Sequence, residues 1–383
     1  MKILLYSPVF HPMVGGVESV TATLAALFTE LGHECSVLTP IENPAQDNFN
    51  FRVYRNPSLA TKLRLVAEAD VVLSKTAALA ILPFCLLTSK PLVWVHSGYQ
   101  ASCVDGLGWV DGDPAPLTPK ESIAFHFKRS GLLYAARSAA KLYLRRFACR
   151  HLVAMNVAVS DWVAMRQPFK RQITIHNPFP LEQFTNGSTP RRPRYDFLYL
   201  GRLVSEKGVE TLIKAFDIVV RQNESENLRL LIIGDGSWRP RLELLASQME
   251  LAGRIEFAGK KTGKELATLV HQCKVAVVPS EWEEPMGGVA VELLAAGLPV
   301  IVSKNGGLAE CIGDAGLTFE NGNHHALAHC MTRLLKDERL KGMLLHNAKR
   351  QVEDFNPRRL ATQYLKLFDQ LLDHSNALQS HLL

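Results

Sequence analysis

The chain repeats one pattern along most of its length: short runs of Val, Ile and Leu alternate with longer segments whose apolar residues recur at helical spacing. These runs lack the polar alternation of a strand with one solvated side, so both of their faces must be covered. Such strands pair in parallel and are joined by helical crossovers, which restricts the chain to an α/β architecture. The predicted strands of the first half are Lys2–Tyr6, Glu34–Thr39, Val71–Leu73, Leu92–Val95 and Ala154–Val159, and the clearest helix is Val17–Leu31.

The alternation lapses once, which predicts a boundary between two domains. A proline-rich, polar stretch runs from Asn177 to Pro193, and a new strand begins at Phe197. With 383 residues the chain is long enough for two cores. We predict tandem Rossmann-like domains over 1–180 and 190–356 that face each other across a ligand cleft at the strand ends. The last segment, 357–383, has apolar residues at helical spacing, and we expect its helix to pack back on the first domain.

Composition narrows the class of protein. The net charge of +6 is compatible with an anionic ligand or an acidic membrane surface, and it falls short of a nucleic-acid-binding signature. The seven cysteines are scattered, odd in number and without a CxxC pair, which predicts reduced, buried thiols in a cytoplasmic protein. The longest apolar stretch, 77–87, contains Pro83 and is too short to span a bilayer. Membrane contact is therefore expected to be peripheral.

The strongest chemical signal is the segment from Pro279 to Glu292, PSEWEEPMGGVAVE. A predicted strand ends at Pro279, a loop presents Glu284, and Gly287-Gly288 open a helix that carries Glu292. An ionised carboxylate accepts two hydroxyl donors, and the free N–H groups of a helix start suit a phosphate or a sugar hydroxyl. The two carboxylates can therefore hold two diols, one on a sugar and one on a ribose. The alternative is a solvated acidic loop followed by an exposed helix face.

A second signal, YLGRLVSEKG, follows the first strand of the second domain and precedes a helix. The planar fork of Arg202 and the point charge of Lys207 both suit a diphosphate. Their position before a helix N-terminus adds the positive end of the helix dipole to the same site. The alternative is a surface charge pair in which Glu206 neutralises one of the two cations.

Together the two segments resemble the Arg-x4-Lys and Glu-x7-Glu motifs of the retaining glycosyltransferases known as group 1 or family 4. The resemblance spans essentially the whole chain and implies the GT-B fold. In that family the residues matching Arg202 and Lys207 hold the diphosphate, the residue matching Glu284 holds donor-sugar hydroxyls, and the residue matching Glu292 holds the ribose. Met286-Gly287-Gly288 stands where the family has Phe-Gly-Leu, which predicts a roomier sugar pocket.

The resemblance implies further site residues. Gly15 and Gly16 match the family's glycine loop, which borders the donor phosphate and the acceptor, although a bare Gly-Gly pair also fits simple turn geometry. His96 follows a buried strand, where the family places a histidine near the reacting centre; a lone His there is more often structural. The donor-binding set is completed by Gly234, Asp235, Met286, Gly287, Gly288 and Val289.

The implied reaction moves a sugar from a UDP- or GDP-sugar to a hydroxyl of a sugar or lipid-linked acceptor, with retention and without a cofactor or metal. Asp111-Gly112-Asp113 spells a DxD motif, but it lies among Gly and Pro residues rather than at a strand end, and we interpret it as a loop. Two alternatives use the same scaffold: a nucleotide-sugar epimerase and a non-catalytic nucleotide-sugar-binding subunit. No nucleic-acid partner is expected.

One stretch is strongly basic. Between Glu121 and Asp161 there is no acidic residue. The basic residues there are Lys128, Arg129, Arg137, Lys141, Arg145, Arg146 and Arg150, interleaved with Phe, Leu and Tyr. Residues 125–150 fit two interpretations: peripheral attachment to an anionic membrane at the inner face of the plasma membrane, or a solvated helix face.

Overall fold

The computed structural model describes residues 1–13, 15–43, 47–76, 78–185, 193–223 and 226–380. Four parts of the sequence predictions therefore lie outside the described residues. They are Val14 of the glycine loop, Ala77 of the longest apolar stretch, residues 186–192 of the predicted linker, and the last three residues of the predicted C-terminal helix.

The described elements follow the predicted alternation. The strands are β1 (Lys2–Tyr6), β2 (Glu34–Thr39), β3 (Arg52–Arg55), β4 (Val71–Lys75), β5 (Leu92–His96), β6 (Trp109–Val110), β7 (Asp113–Pro114), β8 (Met155–Ala158), β9 (Gln172–Thr174), β10 (Tyr195–Leu200), β11 (Leu230–Ile233), β12 (Ile255–Gly259), β13 (Cys273–Val278), β14 (Val300–Ser303) and β15 (Gly316–Phe319). The helices are α1 (Gly16–Glu30), α2 (Leu59–Glu68), α3 (Leu82–Leu87), α4 (Pro119–His151), α5 (Asp161–Arg166), α6 (Glu182–Thr185), α7 (Val209–Gln222), α8 (Arg239–Gln248), α9 (Gly263–Val270), α10 (Gly288–Ala295), α11 (Leu308–Ile312), α12 (His324–Lys336), α13 (Glu338–Asp354) and α14 (Pro357–Ser380).

The chain divides into two compact units. Among the described residues, unit 1 comprises 1–108, 115–179 and 355–380, and unit 2 comprises 109–114 and 180–354. The short hairpin of β6 and β7 thus comes from the first half of the sequence and belongs to unit 2. The indole Nε1 of Trp109, in β6, donates a hydrogen bond to Ser205 Oγ over 2.9 Å.

Unit 1 is built on a parallel sheet with the strand order β3-β2-β1-β4-β5-β8-β9. The chain moves outward from β1 to β3 and then returns to place β4 on the other side of β1. This reversal is a topological switch point, and ligands of open α/β sheets bind outside the carboxyl ends of the strands at such a point. In unit 1 the segments that follow β1 and β4 lie there.

Unit 2 repeats the arrangement with the parallel order β12-β11-β10-β13-β14-β15. Its switch point lies between β10 and β13. Helix α7 buries one stripe of apolar residues at helical spacing against this sheet, which is why its sequence reads as an amphipathic helix. The stripe comprises Val209, Leu212, Ile213, Phe216 and Val219.

The C-terminal helix belongs to unit 1, although it follows unit 2 in the sequence. Phe368 of α14 lies 5.8 Å from the ring of Phe28 in α1, and Tyr364 lies 6.4 Å from the same ring. Both α14 rings are fully buried. Aromatic pairs at these distances and tilts stabilise beyond the apolar area that they bury, so α14 is part of the core of unit 1.

The structure also describes the state of the cysteines and the apolar character of the helices. All seven cysteines lie within the described residues, buried and free of disulfides, as the sequence predicted. None of the helices in the described ranges combines the length and the apolar composition that crossing a bilayer requires.

Replacing Phe368 tests the role of α14 in the core. We expect Phe368→Ala to lower the free energy of unfolding by about 3–5 kcal/mol, because it leaves a cavity against Phe28. Phe127→Ala is the matched control: Phe127 is 49% exposed while Phe368 is fully buried, and its loss should cost less than about 0.5 kcal/mol. Chemical denaturation measures both. Equal losses in the two variants would contradict the packing of α14 on unit 1.

Candidate functional site

The two motif segments of unit 2 lie side by side at its switch point. Residues 201–208 follow β10 and residues 279–287 follow β13, and these two strands are neighbours in the sheet. The sequence separates the segments by about seventy residues, but the parallel topology places their starting points at the same edge of the sheet. The fold therefore unites the Arg-x4-Lys and Glu-x7-Glu motifs in one place.

The two loops approach each other through their backbones. Gly208 caps α7 with a left-handed conformation (φ +65°), and a Cβ there would overlap the carbonyl oxygen of Pro279. Only glycine combines that conformation with that close approach. The N–H of Glu281 donates to the carbonyl of Glu206 over 2.9 Å, and Thr211 Oγ1 of α7 donates to the Glu281 carboxylate over 2.6 Å. The relative position of the two loops is therefore fixed by several short contacts.

An ion pair joins the two motifs. Lys207 Nζ donates to Glu284 Oε1 over 2.6 Å, and the side chains are only 15% and 10% exposed. The other carboxylate oxygen of Glu284 accepts a hydrogen bond of 2.6 Å from the buried Ser280 hydroxyl. Lys207 Nζ also lies 5.6 Å from the ring centre of Trp282, within cation–π range. Both charged groups are thus held in a single orientation.

The main chain of Glu284 is held by the glycine pair that follows β14. The N–H of Gly307 donates to the Glu284 carbonyl over 2.7 Å, and Gly306 forms a parallel bridge with Glu284. Gly306 has a φ of +121°, and a Cβ there would press on the backbone of Glu284. The side-chain amide of Asn321 donates to the carbonyl of Trp282 over 3.3 Å. Sequence reasoning missed the positioning roles of Ser280 and Asn321.

Helix α10 begins at the end of the same loop, with Gly287 as its N-cap. A Cβ on Gly287 would overlap the side chain of Leu308, so glycine permits the close packing of α10 on α11. The N–H groups of Gly288 and Val289 belong to the first turn, where N–H groups lack an intrahelical acceptor. These donors and the helix dipole favour an anion or a hydroxyl oxygen beside Glu284. Met286 precedes them and is half-buried.

Glu292 lies one turn further along α10 and is half-buried. Burial raises the pKa of its carboxyl from 4.5 to about 7. Among the described residues, no side chain or backbone group donates a hydrogen bond to this carboxylate, in contrast to the doubly bonded Glu284. A carboxylate partly removed from water and without a donor is suited to hydroxyl groups of a ligand.

Arg202 lies in the same loop as Lys207, but its environment differs. Its side chain is 69% exposed and pairs with Glu206 over 3.3 Å. Its carbonyl accepts a 2.7 Å hydrogen bond from the buried Tyr199 hydroxyl, whose pKa is raised by burial and, to a lesser extent, by the charge of Glu284. The structure thus contains the surface charge pair that the sequence left as an alternative. Exposure leaves the guanidinium able to reorient.

The loop after β11 packs against the loop after β10. A Cβ on Gly234 (φ +145°) would overlap the carbonyl oxygen of Gly201, so glycine is required there. The carbonyl of Asp235 accepts a 2.9 Å hydrogen bond from the N–H of Leu203. The Asp235 side chain is exposed and lies 3.6 Å from Arg239. Gly234 and Asp235 therefore support the backbone of residues 201–203.

Gly15 and Gly16 belong to unit 1 and open α1 at the carboxyl end of β1. The carboxylate of Glu18 folds back over Gly15, where a Cβ would lie 2.5 Å from its Oε2. Glu18 is buried, so a negative charge already lies at the N-terminus of α1. A carboxylate in this position interacts favourably with the helix dipole and so stabilises the helix. Sequence reasoning did not include Glu18 in the site.

His96 also belongs to unit 1 and ends β5. Its imidazole is buried between Trp94 and Phe169, each with its ring centre 5.5 Å away. Its Nε2 lies 2.9 Å from Asn156 Oδ1. Burial lowers the pKa of His96 to about 4, so the ring is neutral at physiological pH. The part of His96 in catalysis stays a prediction.

A second buried base of unit 1 was missed by sequence reasoning. Lys75 ends β4 at the switch point, is fully buried, and donates to Asn177 Oδ1 over 2.8 Å. Burial lowers the pKa of Lys75 to about 7. No spacing rule connects Lys75 with Asn177, because 102 residues separate them in the sequence.

Within the described ranges, nowhere do three or more His, Cys, Asp or Glu side chains converge as a metal site would require. Asp111 and Gly112 form the turn between β6 and β7, both with positive φ, and Asp113 begins β7. The DxD sequence therefore lies at the tip of a β-hairpin, where the sequence had predicted a loop.

The second half of the chain matches a known protein family. Residues 182–351 match the family described as glycosyl transferases group 1. A glycosyltransferase of Methanocaldococcus jannaschii is 37% identical over 157 residues, covering 40% of this chain and 39% of that protein. D-inositol 3-phosphate glycosyltransferase of Corynebacterium glutamicum is 28% identical over 184 residues, covering 46% of this chain and 44% of that protein. The chain thus spans less than half the length of these relatives.

A solved structure extends the likeness to the whole fold. HepE of Anabaena, crystallised in complex with UDP, superposes with a TM-score of 0.73 at 18% identity, covering 97% of this chain and all of that one. At this identity the likeness establishes the fold. Residues 182–351 therefore belong to the group 1 glycosyltransferase family, and the chain has the GT-B fold with two Rossmann-like units, which confirms the resemblance and the fold class inferred from the sequence.

The raised pKa of Glu292 predicts a distinctive pH dependence. Because the folded pKa (about 7) exceeds the unfolded value (4.5), the stabilising contribution of Glu292 is complete below pH 4.5 and is lost as the pH rises to 7. We expect the stability of the parent relative to Glu292→Gln to fall between these pH values, by at most about 3 kcal/mol, and to be constant above them. Chemical denaturation of both proteins across pH 5–8 measures this. A difference independent of pH would show that Glu292 titrates normally.

Proposed function

We propose that this protein is a retaining glycosyltransferase that moves a sugar from a UDP- or GDP-sugar to an acceptor hydroxyl. The observation that carries the proposal is the Lys207–Glu284 ion pair at the switch point of unit 2. It places a cation for a diphosphate directly beside a carboxylate for sugar hydroxyls. In a nucleotide sugar the diphosphate and the sugar are likewise directly connected.

The ion pair does not have to break when the donor binds. An ammonium group has three N–H donors, and Glu284 takes one of those of Lys207. The other two remain for phosphate oxygens. An ionised carboxylate has about four acceptor sites, and Lys207 and Ser280 occupy two of them at Glu284. The rest can accept two sugar hydroxyls.

The remaining contacts to the nucleotide sugar are proposed to come from α10 and from the loop after β10. The first-turn N–H groups of Gly288 and Val289 face an anionic or hydroxyl oxygen, and Met286 and Gly287 line the same loop. The unpartnered carboxylate of Glu292 accepts the two ribose hydroxyls. Arg202 exchanges Glu206 for the diphosphate when the donor arrives, since its exposed guanidinium is free to turn.

Catalysis in this proposal is electrostatic. When the bond between the sugar and the diphosphate breaks, negative charge develops on the leaving oxygen. Lys207, Arg202 and the N-terminus of α10 stabilise that charge, with no metal ion required. Retention of the anomeric configuration is proposed from the resemblance of the two motifs to the retaining family.

Unit 1 is proposed to bind the acceptor, a sugar or a lipid-linked sugar in glycan, polysaccharide or glycolipid synthesis. Gly15 and Gly16 are proposed to border both the donor phosphate and the acceptor, and His96 is proposed to lie near the donor sugar and the reacting centre. The existence of a UDP complex and a UDP-glucose complex of HepE supports a nucleotide-sugar donor. Free, buried cysteines support a cytoplasmic location, where nucleotide sugars are available.

The experiment that tests the function begins with a thermal-shift screen of UDP, GDP and their sugars, because a ligand that binds only the folded state raises its apparent stability. The selected donor is then incubated with and without acceptor sugars. Transfer to an acceptor supports the proposal. Conversion of the donor to its epimer without an acceptor would show an epimerase instead, and binding without any turnover would show a non-catalytic subunit.

The two glutamates should have separable roles. Glu292→Gln should weaken binding of the free nucleoside diphosphate and of the whole donor alike, because both carry the ribose. Glu284→Gln should leave nucleoside diphosphate binding nearly unchanged and reduce transfer at least about 100-fold, because hydroxyls that lose their partner in a polar site are strongly penalised. Calorimetry with UDP or GDP and transfer rates with the donor measure the two effects.

Glu283→Gln is the matched control for these variants, since it makes the same change in the same loop. It should retain both nucleotide binding and transfer. Melting temperatures show whether Glu284→Gln, which also removes the partner of Lys207, remains folded. Equal losses of nucleotide affinity in the Glu284 and Glu292 variants would show that the roles are not divided in this way.

Transfer is expected to survive a strong chelator. The positive charge that stabilises the diphosphate comes from Lys207, Arg202 and the helix N-terminus, all of them part of the chain. Transfer rates before and after treatment with EDTA should agree within about twofold, a difference of less than about 0.5 kcal/mol. Loss of activity that Mg²⁺ or Mn²⁺ restores would contradict metal independence. It would also favour a metal-binding role for Asp111 and Asp113.

A further inference from the structure

Helix α4 displays large apolar side chains to solvent. It consists of two helical segments that meet at Gly131, whose backbone is non-helical (φ 82°, ψ 173°). In the second segment, Leu132 and Leu133 are 71% and 75% exposed, and Tyr143, Leu144 and Phe147 are each about half exposed. Monomeric proteins rarely leave a continuous apolar surface of this kind uncovered.

These side chains form a stripe on one side of the helix. Leu132, Ala136, Ala140, Tyr143 and Phe147 are separated by three or four positions, which places them on one face. We call these five residues the outward stripe; Leu133 and Leu144 flank it. The face that unit 1 buries is a different one, with Ala135, Leu142 and Cys149 seven positions apart. The second segment of α4 therefore has two apolar faces, of which unit 1 covers one.

The cations around the outward stripe are available to a partner. Lys128, Arg137, Lys141 and Arg150 are exposed, and no described carboxylate pairs with them. Arg145 and Arg146, which the sequence grouped with them, are directed inward: their guanidinium groups donate to the carbonyls of Gln100 and Ala101. The structure thus separates the basic residues that stabilise the fold from those that face solvent.

We propose that the outward stripe of α4 docks on the surface of an anionic lipid membrane, with its exposed cations bound to lipid headgroups. An apolar face flanked by Lys and Arg matches the boundary between acyl chains and negatively charged headgroups. A second copy of this chain fits less well, because a symmetric contact would place α4 against α4. Between Glu121 and Asp161 no acidic residue is available to pair with the cations brought together there.

Sedimentation with lipid vesicles tests the proposal on the full chain. The protein should bind vesicles of phosphatidylcholine and phosphatidylglycerol, bind pure phosphatidylcholine vesicles weakly, and be released only in part by added salt, because salt weakens the contacts of the cations and leaves the apolar contact in place. Arg137→Gln combined with Lys141→Gln should weaken partitioning roughly 30-fold, since each basic residue near an anionic surface contributes about fivefold. Lys336→Gln combined with Arg339→Gln removes the same charge from exposed positions of unit 2 and should have little effect.

A second pair of variants tests the apolar contribution. Leu132→Ser, Leu133→Ser and Leu144→Ser together should abolish binding that resists salt. Leu86→Ser, Leu87→Ser and Leu244→Ser are the matched control, because these leucines lie in helices and are at least half exposed. Melting temperatures verify that all variants are folded. Failure of the parent to bind anionic vesicles, or equal losses in test and control variants, would overturn the proposal. A dimer in analytical ultracentrifugation that the α4 leucine variant alone dissociates would also overturn it and identify a second copy as the partner.

Discussion

The ion pair between Lys207 and Glu284 is the contact on which the arrangement of unit 2 depends. The carboxylate and the ammonium are little exposed, so removing either partner would leave the other without its opposite charge in a partly buried site, which is destabilising. The surrounding residues hold the pair in place: Gly208 allows the two loops to touch, Ser280 binds the second carboxylate oxygen, and Gly306 supports the backbone. These requirements explain why glycines recur along the loops after β10, β13 and β14.

The sequence predicted the centre of each sheet better than its edges. Strands such as β1 and β2 were predicted with their observed limits, because central strands of a parallel sheet are buried on both faces and read as continuous apolar runs. The strands β3, β9 and β15 were missed, and each lies at an edge of its sheet. An edge strand is partly exposed, so its residues include Arg, Gln and Thr and give no apolar run. The apolar run by which the other strands were predicted is therefore missing from these three because they are partly exposed.

The candidate site shows the same limit in another form. Sequence motifs indicated Lys207 and Glu284 because each lies in a recognisable local pattern. They did not indicate Asn321 or Lys75, whose contacts depend on the tertiary fold. The sequence indicated the basic stretch 125–150 with its interleaved Phe, Leu and Tyr, but it left open which of these residues face solvent, since apolar residues at helical spacing look alike whether they face the core or solvent. Only the burial of the opposite face distinguishes the two.

The basic side chains at the two switch points lie in different electrostatic environments. In unit 1, burial lowers the pKa values of Lys75 and His96, which favours the neutral forms of both bases. In unit 2, the ammonium of Lys207 lies 2.6 Å from the carboxylate of Glu284, and the two side chains are 15% and 10% exposed. A diphosphate carries negative charge that grows as its bond to the sugar breaks, so it is suited to the unit in which cationic side chains lie close to helix N-termini. An acceptor hydroxyl carries no charge and makes no such demand. This difference in electrostatics, more than the shared topology, is the physical reason for proposing that unit 2 binds the donor and unit 1 the acceptor.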